Sequence, residues 1–163
     1  MKTITFIRHA KSDRKQNVED FERPLNERGK SDAPLMGKVI KKDFILPDLI
    51  LSSAANRAKT TSRMIAAEIA YPEKEIVFLE DLYFADTETY FRIIRDMEDS
   101  FDNIYVVSHN PGTTYIVNRI SNTRLDHMPT CGIAQIEFDV SSWSEIQDKS
   151  GKLLRFDRPK NHK

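Results

Sequence analysis

Apolar residues fall in short runs along this chain, and three of the runs end in polar side chains that suit an oxyanion. Thr3-Ile4-Thr5-Phe6-Ile7 leads into Arg8-His9-Ala10. Leu49-Ile50-Leu51 leads into Ser52-Ser53, with Arg57 close behind, and Ile104-Tyr105-Val106-Val107 leads into Ser108-His109-Asn110. Runs of this length bounded by polar residues predict buried strands over 3–8, 49–52 and 104–108, with a further strand over 75–79. Helical spacing appears between them. A helix is expected to start near Asn26, a capping residue, with Leu35, Val39 and Ile40 on one face, and to stop before Pro47. Ala55, Ala58, Thr61, Ile65, Ala66 and Ile69 predict a helix over 54–70, ended by Pro72. Thr87 is the expected cap of a helix carrying Tyr90, Phe91, Ile94 and Met97, and Pro111-Gly112 opens one carrying Tyr115, Ile116, Val117 and Ile120.

The remainder is irregular or alternating. Residues 11–24 are a polar stretch read as a long loop leaving the carboxyl end of the first strand, and 122–129 form another loop. Gly132–Phe138 alternates as a half-buried strand does, and 152–156 is expected to pair with it antiparallel, with Trp143 packed between. Strand and helix otherwise take turns, which predicts an α/β fold: a three-layer α/β/α sandwich whose mostly parallel sheet ends in an antiparallel C-terminal hairpin. A single domain is expected over 1–158, with 159–163 as a frayed tail.

Composition narrows the classes of function. The 163 residues carry 25 Lys plus Arg against 25 Asp plus Glu, so the formal charge is zero, which argues against a generic nucleic-acid binder. Cys131 is the one cysteine, excluding an internal disulfide and a cysteine-rich metal site, and a reducing, cytoplasmic setting is expected. The first apolar run is too short for a signal peptide, and no run reaches the roughly 18 residues of a membrane helix.

The chemistry lies at the strand ends, since ligands of open α/β sheets bind at the carboxyl edge. His9, held by the strand before it, is a candidate nucleophile if one ring nitrogen is tied to a carbonyl, for which the Gly29 carbonyl is a candidate; the competing reading is a structural hydrogen bond. Arg8 and Arg57 offer forks of donors for phosphate oxygens, Arg57 at a helix start where an anion would relieve the dipole. The competing reading pairs Arg57 with Glu80 or Asp81. Ser52, Ser53 and the free amides there add donors, and His109 can donate to a phosphoryl oxygen or serve as a turn histidine. Metal binding by two histidines is disfavoured by the arginines beside them, and neither His127 nor His162 shares this setting.

These segments together resemble the histidine phosphatase superfamily, also called phosphoglycerate-mutase-like, and within it the small bacterial phosphohistidine phosphatases. Arg8-His9-Ala10 resembles the family's Arg-His-Gly with alanine for glycine. Pro24-Leu25-Asn26-Glu27-Arg28-Gly29 resembles Leu-Thr-x-x-Gly. Ser52 to Thr61 resembles Ser-Ser-Pro-x-x-Arg-Ala-x-Gln-Thr without its Pro and Gln, and Val107-Ser108-His109-Asn110-Pro111 resembles the second-histidine motif. The resemblance implies that His9 attacks phosphorus, that Arg8, Arg57 and His109 form the phosphate pocket, and that no metal or organic cofactor is used. It also implies an acidic proton donor after the third strand, with Glu80, Asp81 and Asp86 as candidates and Asp81 the best match. About 25 residues separate Leu79 from Ile104, too few for the lid of larger relatives, which favours a phosphorylated protein as substrate. A small phosphomonoester is the alternative, and a noncatalytic phosphate-binding module the third reading. Neither nucleic acid nor membrane is an expected partner.

Overall fold

The computed structural model describes residues 1–163. Its order is β1 (Lys2–Arg8), α1 (Glu27–Asp43), β2 (Leu49–Ser53), α2 (Asn56–Glu68), β3 (Val77–Leu79), α3 (Thr87–Arg95), β4 (Asn103–Ser108), α4 (Gly112–Ile120), β5 (Ile133–Phe138) and β6 (Lys152–Asp157), with short 3-10 turns between. The six strands form one sheet in the order β3-β2-β4-β1-β5-β6. The first four lie parallel, β5 runs antiparallel to β1, and β6 runs antiparallel to β5. No helix is long and apolar enough to cross a membrane.

Both faces of the sheet are covered, and strand alternation divides the core in two. Ile4 and Phe6 of β1 and Ile104 and Val106 of β4 face α3 and α4, packing with Phe91, Ile94, Ile116 and Ile120. Ile7, Tyr105 and Val107 face α1 and α2, packing with Met36, Ile40, Ile65 and Ala66. The expected sandwich and its terminal hairpin are therefore present.

Several boundaries differ from expectation for local reasons. Asn26 does cap α1, accepting from the Gly29 amide at 2.9 Å. The cap of α3 is Asp86 rather than Thr87: its carboxylate accepts from the amide and the hydroxyl of Thr89 at 2.9 and 2.7 Å. Over the stretch expected as strand 75–79, Glu73–Glu75 is a 3-10 turn and β3 is only three residues at the sheet edge. The tail is not frayed. Pro159–His162 makes a 3-10 turn, with His162 Nε2 2.9 Å from Asp157 Oδ2 and Lys163 Nζ 2.8 Å from the buried Asp32. Trp143 is fully buried, and its indole N–H donates to the Phe101 carbonyl at 2.9 Å.

Loop 11–24 is bound to the start of α1 at one tight point. The Asn26 amide donates to Lys11 O at 3.0 Å, and a Cβ on Gly29 would meet that same oxygen at 2.1 Å. Only glycine lets the backbones approach this closely. Gly29→Ala is expected to destabilise the protein by about 2 kcal/mol, a fall in Tm of roughly 4–8 °C. The exposed Lys30→Ala, its neighbour, should stay within about 0.5 kcal/mol. Equal melting temperatures for wild type and Gly29→Ala would show that the contact is not needed.

Candidate active site

The parallel register of β1 and β4 sets Arg8 opposite Ser108, so the residues that follow emerge together at the carboxyl edge. The His9 amide donates to Ser108 O at 3.0 Å, and the two imidazole rings lie 5.1 Å apart, centroid to centroid. Both rings are buried. His9 Nδ1 lies 2.7 Å from the carbonyl oxygen of Ala10, its own neighbour. A carbonyl only accepts, so Nδ1 carries the proton and the lone pair of the neutral ring is on Nε2. The Gly29 carbonyl does not orient the ring, because the His9 backbone already presents that of Ala10. Burial drives the His9 pKa well below the ordinary value; the bond to Ala10 opposes the shift, and His109, Arg57 and Arg8 add to it.

His109 is held from β2. Its Nε2 is 2.7 Å from Ser53 Oγ, which also accepts the Ala55 amide at 3.2 Å. The hydroxyl has a second lone pair beside the one that takes the amide, so either Ser53 Oγ or Nε2 can donate in this pair. Nδ1 is buried with no protein partner, as are Nε of Arg8 and Nε of Arg57. Burial lowers the His109 pKa to about 3, with Arg57 the largest charge contribution and Asp20 opposing it. Ser52, the serine singled out from sequence, is not in this arrangement. It points to the other side of β2, as alternation requires, and donates to Ser53 O at 3.0 Å.

Arg57 lies in the first turn of α2 and is 1% exposed. Its partner is neither Glu80 nor Asp81 but Asp20, from loop 11–24: Nη1 donates to Asp20 O at 2.6 Å and Nη2 to Asp20 Oδ2 at 3.0 Å. Asp20 also accepts from Arg23 at 2.9 Å and from the Tyr83 hydroxyl. Burial alone would raise the Asp20 carboxyl, but these donors outweigh it and hold it well below the usual carboxylate range. Arg8 donates to Met128 O at 3.0 Å and lies 3.2 Å from His127 Nε2, so His127 does approach the site.

A cavity of about 90 Å³ opens here, lined by Arg8, His9, Arg57, Arg23, Lys11 and Arg14 together with Ser12, Phe84, Asn110 and Thr130. Five of the ten lining side chains are cations and none is a carboxylate, in a chain of zero formal charge. Asp81 does not join them. It lies on the 3-10 turn Glu80–Leu82, two-thirds exposed, and pairs with Arg92 at 3.1 Å. Asp86 is taken up in capping α3, and Glu80 is not a lining residue. The carboxylate that does reach the cation cluster is Asp20, which nothing in the sequence distinguishes from the other charges of its polar loop. No three His, Cys, Asp or Glu side chains converge as metal ligands would.

One residue of the lining is strained. Phe84 has φ 53°, in the left-handed region, which costs a bulky side chain about 1–3 kcal/mol. Its ring lies 5.2 Å from His109 and 4.6 Å from Tyr83, and 5.8 Å from the Arg57 guanidinium carbon.

Comparison with known proteins bears on the fold and the family. An uncharacterized protein of Mycobacterium tuberculosis strain H37Rv is 29% identical over 164 residues, covering 94% of this chain and all of the relative. The solved structure of the protein histidine phosphatase SixA with tungstate matches the fold with a TM-score of 0.85 at 20% identity, over 99% of each chain. A SixA from Agrobacterium tumefaciens, assigned as a candidate phosphohistidine phosphatase, matches at 0.78 and 26% identity, over 97% of this chain and 99% of that one. The model of the histidine phosphatase superfamily (branch 1) matches residues 4–103, more than half of the chain, and the protein belongs to that superfamily.

Proposed function

We propose that the protein is a phosphatase that uses His9 as nucleophile, and that its substrate is phosphohistidine carried on a protein. The observation that carries the reading is the state of His9: a buried, neutral imidazole whose Nδ1–H is tied to a carbonyl, leaving the Nε2 lone pair among cations. A phosphoryl group bound there meets the guanidinium groups of Arg8 and Arg57 that line the cavity, with the His109 ring 5.1 Å from that of His9. The Nε2 lone pair attacks phosphorus as the bond to the leaving group breaks. A leaving imidazole, protonated by solvent at its far nitrogen, takes the electron pair of the P–N bond and departs neutral. Water then attacks phosphorus, the P–Nε2 electrons return to His9, and the water's proton is lost to solvent. The surroundings that lower the basicity of His9 also make it the better leaving group in this second step.

Two features favour a P–N bond over an alkyl ester. The cavity lining has no carboxylate to protonate an alkoxide. Asp20, the nearest carboxylate to Arg57 by its bonds, is held ionised and so is a poor acid. Asp20 instead acts as the counter-charge that a phosphoryl group displaces from the Arg57 fork.

Incubation with a phosphohistidine protein should give an acid-labile phosphoenzyme in wild type and none in His9→Ala, with turnover lost. The kcat/KM for phosphohistidine should exceed that for an alkyl phosphate by at least about 100-fold; the reverse order would make the small phosphomonoester the substrate. Arg57→Ala should weaken orthovanadate binding by about 2 kcal/mol, roughly 30-fold in Kd. Asp20→Asn should strengthen it several-fold, because a competing negative charge is removed. Weakening in both variants would mean that Asp20 supports the site rather than competes for it.

The nucleophile must be unprotonated to react. In the free protein, imidazole NMR should show neither His9 nor His109 taking up a proton between about pH 8 and pH 5. Titration of either near the ordinary 6.5 would contradict the account. Both folded pKa values lie below the unfolded value, so in the window between them the unfolded chain binds more protons. Stability from these two groups is complete above about pH 6.5 and falls as the pH drops below it.

A further inference from the structure

The mouth of the His9 cavity has walls of two kinds. Lys11, Arg14 and Arg23 form cationic walls, whereas Phe84 presents a flat apolar one. Phe84 also lines an adjoining groove of about 240 Å³ with Ala85, Asp86, Pro111, Gly112 and Tyr115. Phe84 is 54% exposed and Tyr115 60% exposed, and Phe84 belongs to neither half of the core. Core packing therefore does not explain a phenylalanine in a left-handed backbone conformation. The ring is nevertheless fixed, with Tyr83, His109 and the Arg57 guanidinium set against it. The loop bearing it sits close on α4, where a Cβ on Gly112 would meet Ala85 O at 2.6 Å.

An in-line displacement by His9 sends the leaving group away from Nε2, out through the mouth. Among the lining residues Phe84 is the one aromatic face that is both exposed and apolar, and aromatic and heteroaromatic rings favour offset contact with such a face. The groove beyond shares Phe84 with the phosphate cavity, and its volume of about 240 Å³ has room for one ring. Resting on the phosphatase reading above, we propose that Phe84 determines leaving-group specificity: its exposed face, with the groove toward Tyr115, takes the planar ring of the leaving group, an imidazole in the favoured substrate.

Phosphoimidazole and phosphoramidate test this, since both are cleaved at a P–N bond and only one carries a ring. The readout is the ratio of their kcat/KM values, each variant compared with wild type, so intrinsic reactivity cancels. Phe84→Ala and Phe84→Leu are both expected to lower the phosphoimidazole-to-phosphoramidate ratio at least tenfold, and Phe84→Trp to keep it within about threefold. A ratio unchanged in Phe84→Ala overturns the inference, and so does a wild-type ratio retained in Phe84→Leu, which would make the contact one of apolar area and not of a ring face. Either result leaves the phosphatase reading standing. A wild type that turns over neither compound, and forms no phosphoenzyme with either, overturns that reading and this inference with it.

Discussion

The structure depends on how β1 and β4 lie against each other. Their parallel register places Arg8 opposite Ser108, and the bond from the His9 amide to Ser108 O carries the pairing one residue past the strand. The register brings two imidazoles to one edge, and the bonds from His9 Nδ1 to Ala10 O and between His109 Nε2 and Ser53 Oγ set their rings 5.1 Å apart. The apolar residues of both strands are buried on the two faces of the sheet, so a shift by one residue would send each core side chain to the opposite half of the core, where it does not fit. The core thus secures the backbone at the histidines, and contacts in the site secure their rings.

Collecting Arg8, Arg23, Arg57, Lys11 and Arg14 around buried rings has a cost, since like charges repel and burial strips their water. The site meets it in two ways. Both histidines stay neutral, which removes two charges from the cluster. Asp20 supplies one carboxylate shared among Arg57, Arg23 and Tyr83, and it does so from a loop that the close approach of Lys11 and Gly29 ties to α1. The aromatic contacts among Phe21, Tyr83 and Phe84 join this loop to the segment before α3. The arrangement is poised for an oxyanion to take the place of the carboxylate.

Much of this was legible in the chain. The strand ends carrying Arg8-His9 and Ser108-His109, the Asn26 cap, the two-faced sandwich and the terminal hairpin all follow from local pattern, which a sequence displays directly. What was not legible depended on non-local choices. Ser52 and Ser53 differ only in which face of β2 they occupy at the edge of the sheet, and His109, which selects Ser53, is 56 residues away. Asp81 has the right neighbourhood in sequence, yet it is exposed and paired with Arg92 of α3. Asp20 reaches Arg57 across 37 residues, and nothing local separates it from the other charges of loop 11–24. The contacts of the tail are likewise side-chain ones, from His162 to Asp157 and from Lys163 to Asp32, which hydropathy does not display.

The most direct test of the account is a crystal structure with orthovanadate. Vanadium should be bound in a trigonal bipyramid with His9 Nε2 at one apex, its equatorial oxygens within hydrogen-bonding distance of Arg8, Arg57 and His109, and Asp20 withdrawn from the Arg57 fork. Vanadate bound elsewhere, or held in the cavity without a bond to His9 Nε2, would contradict it.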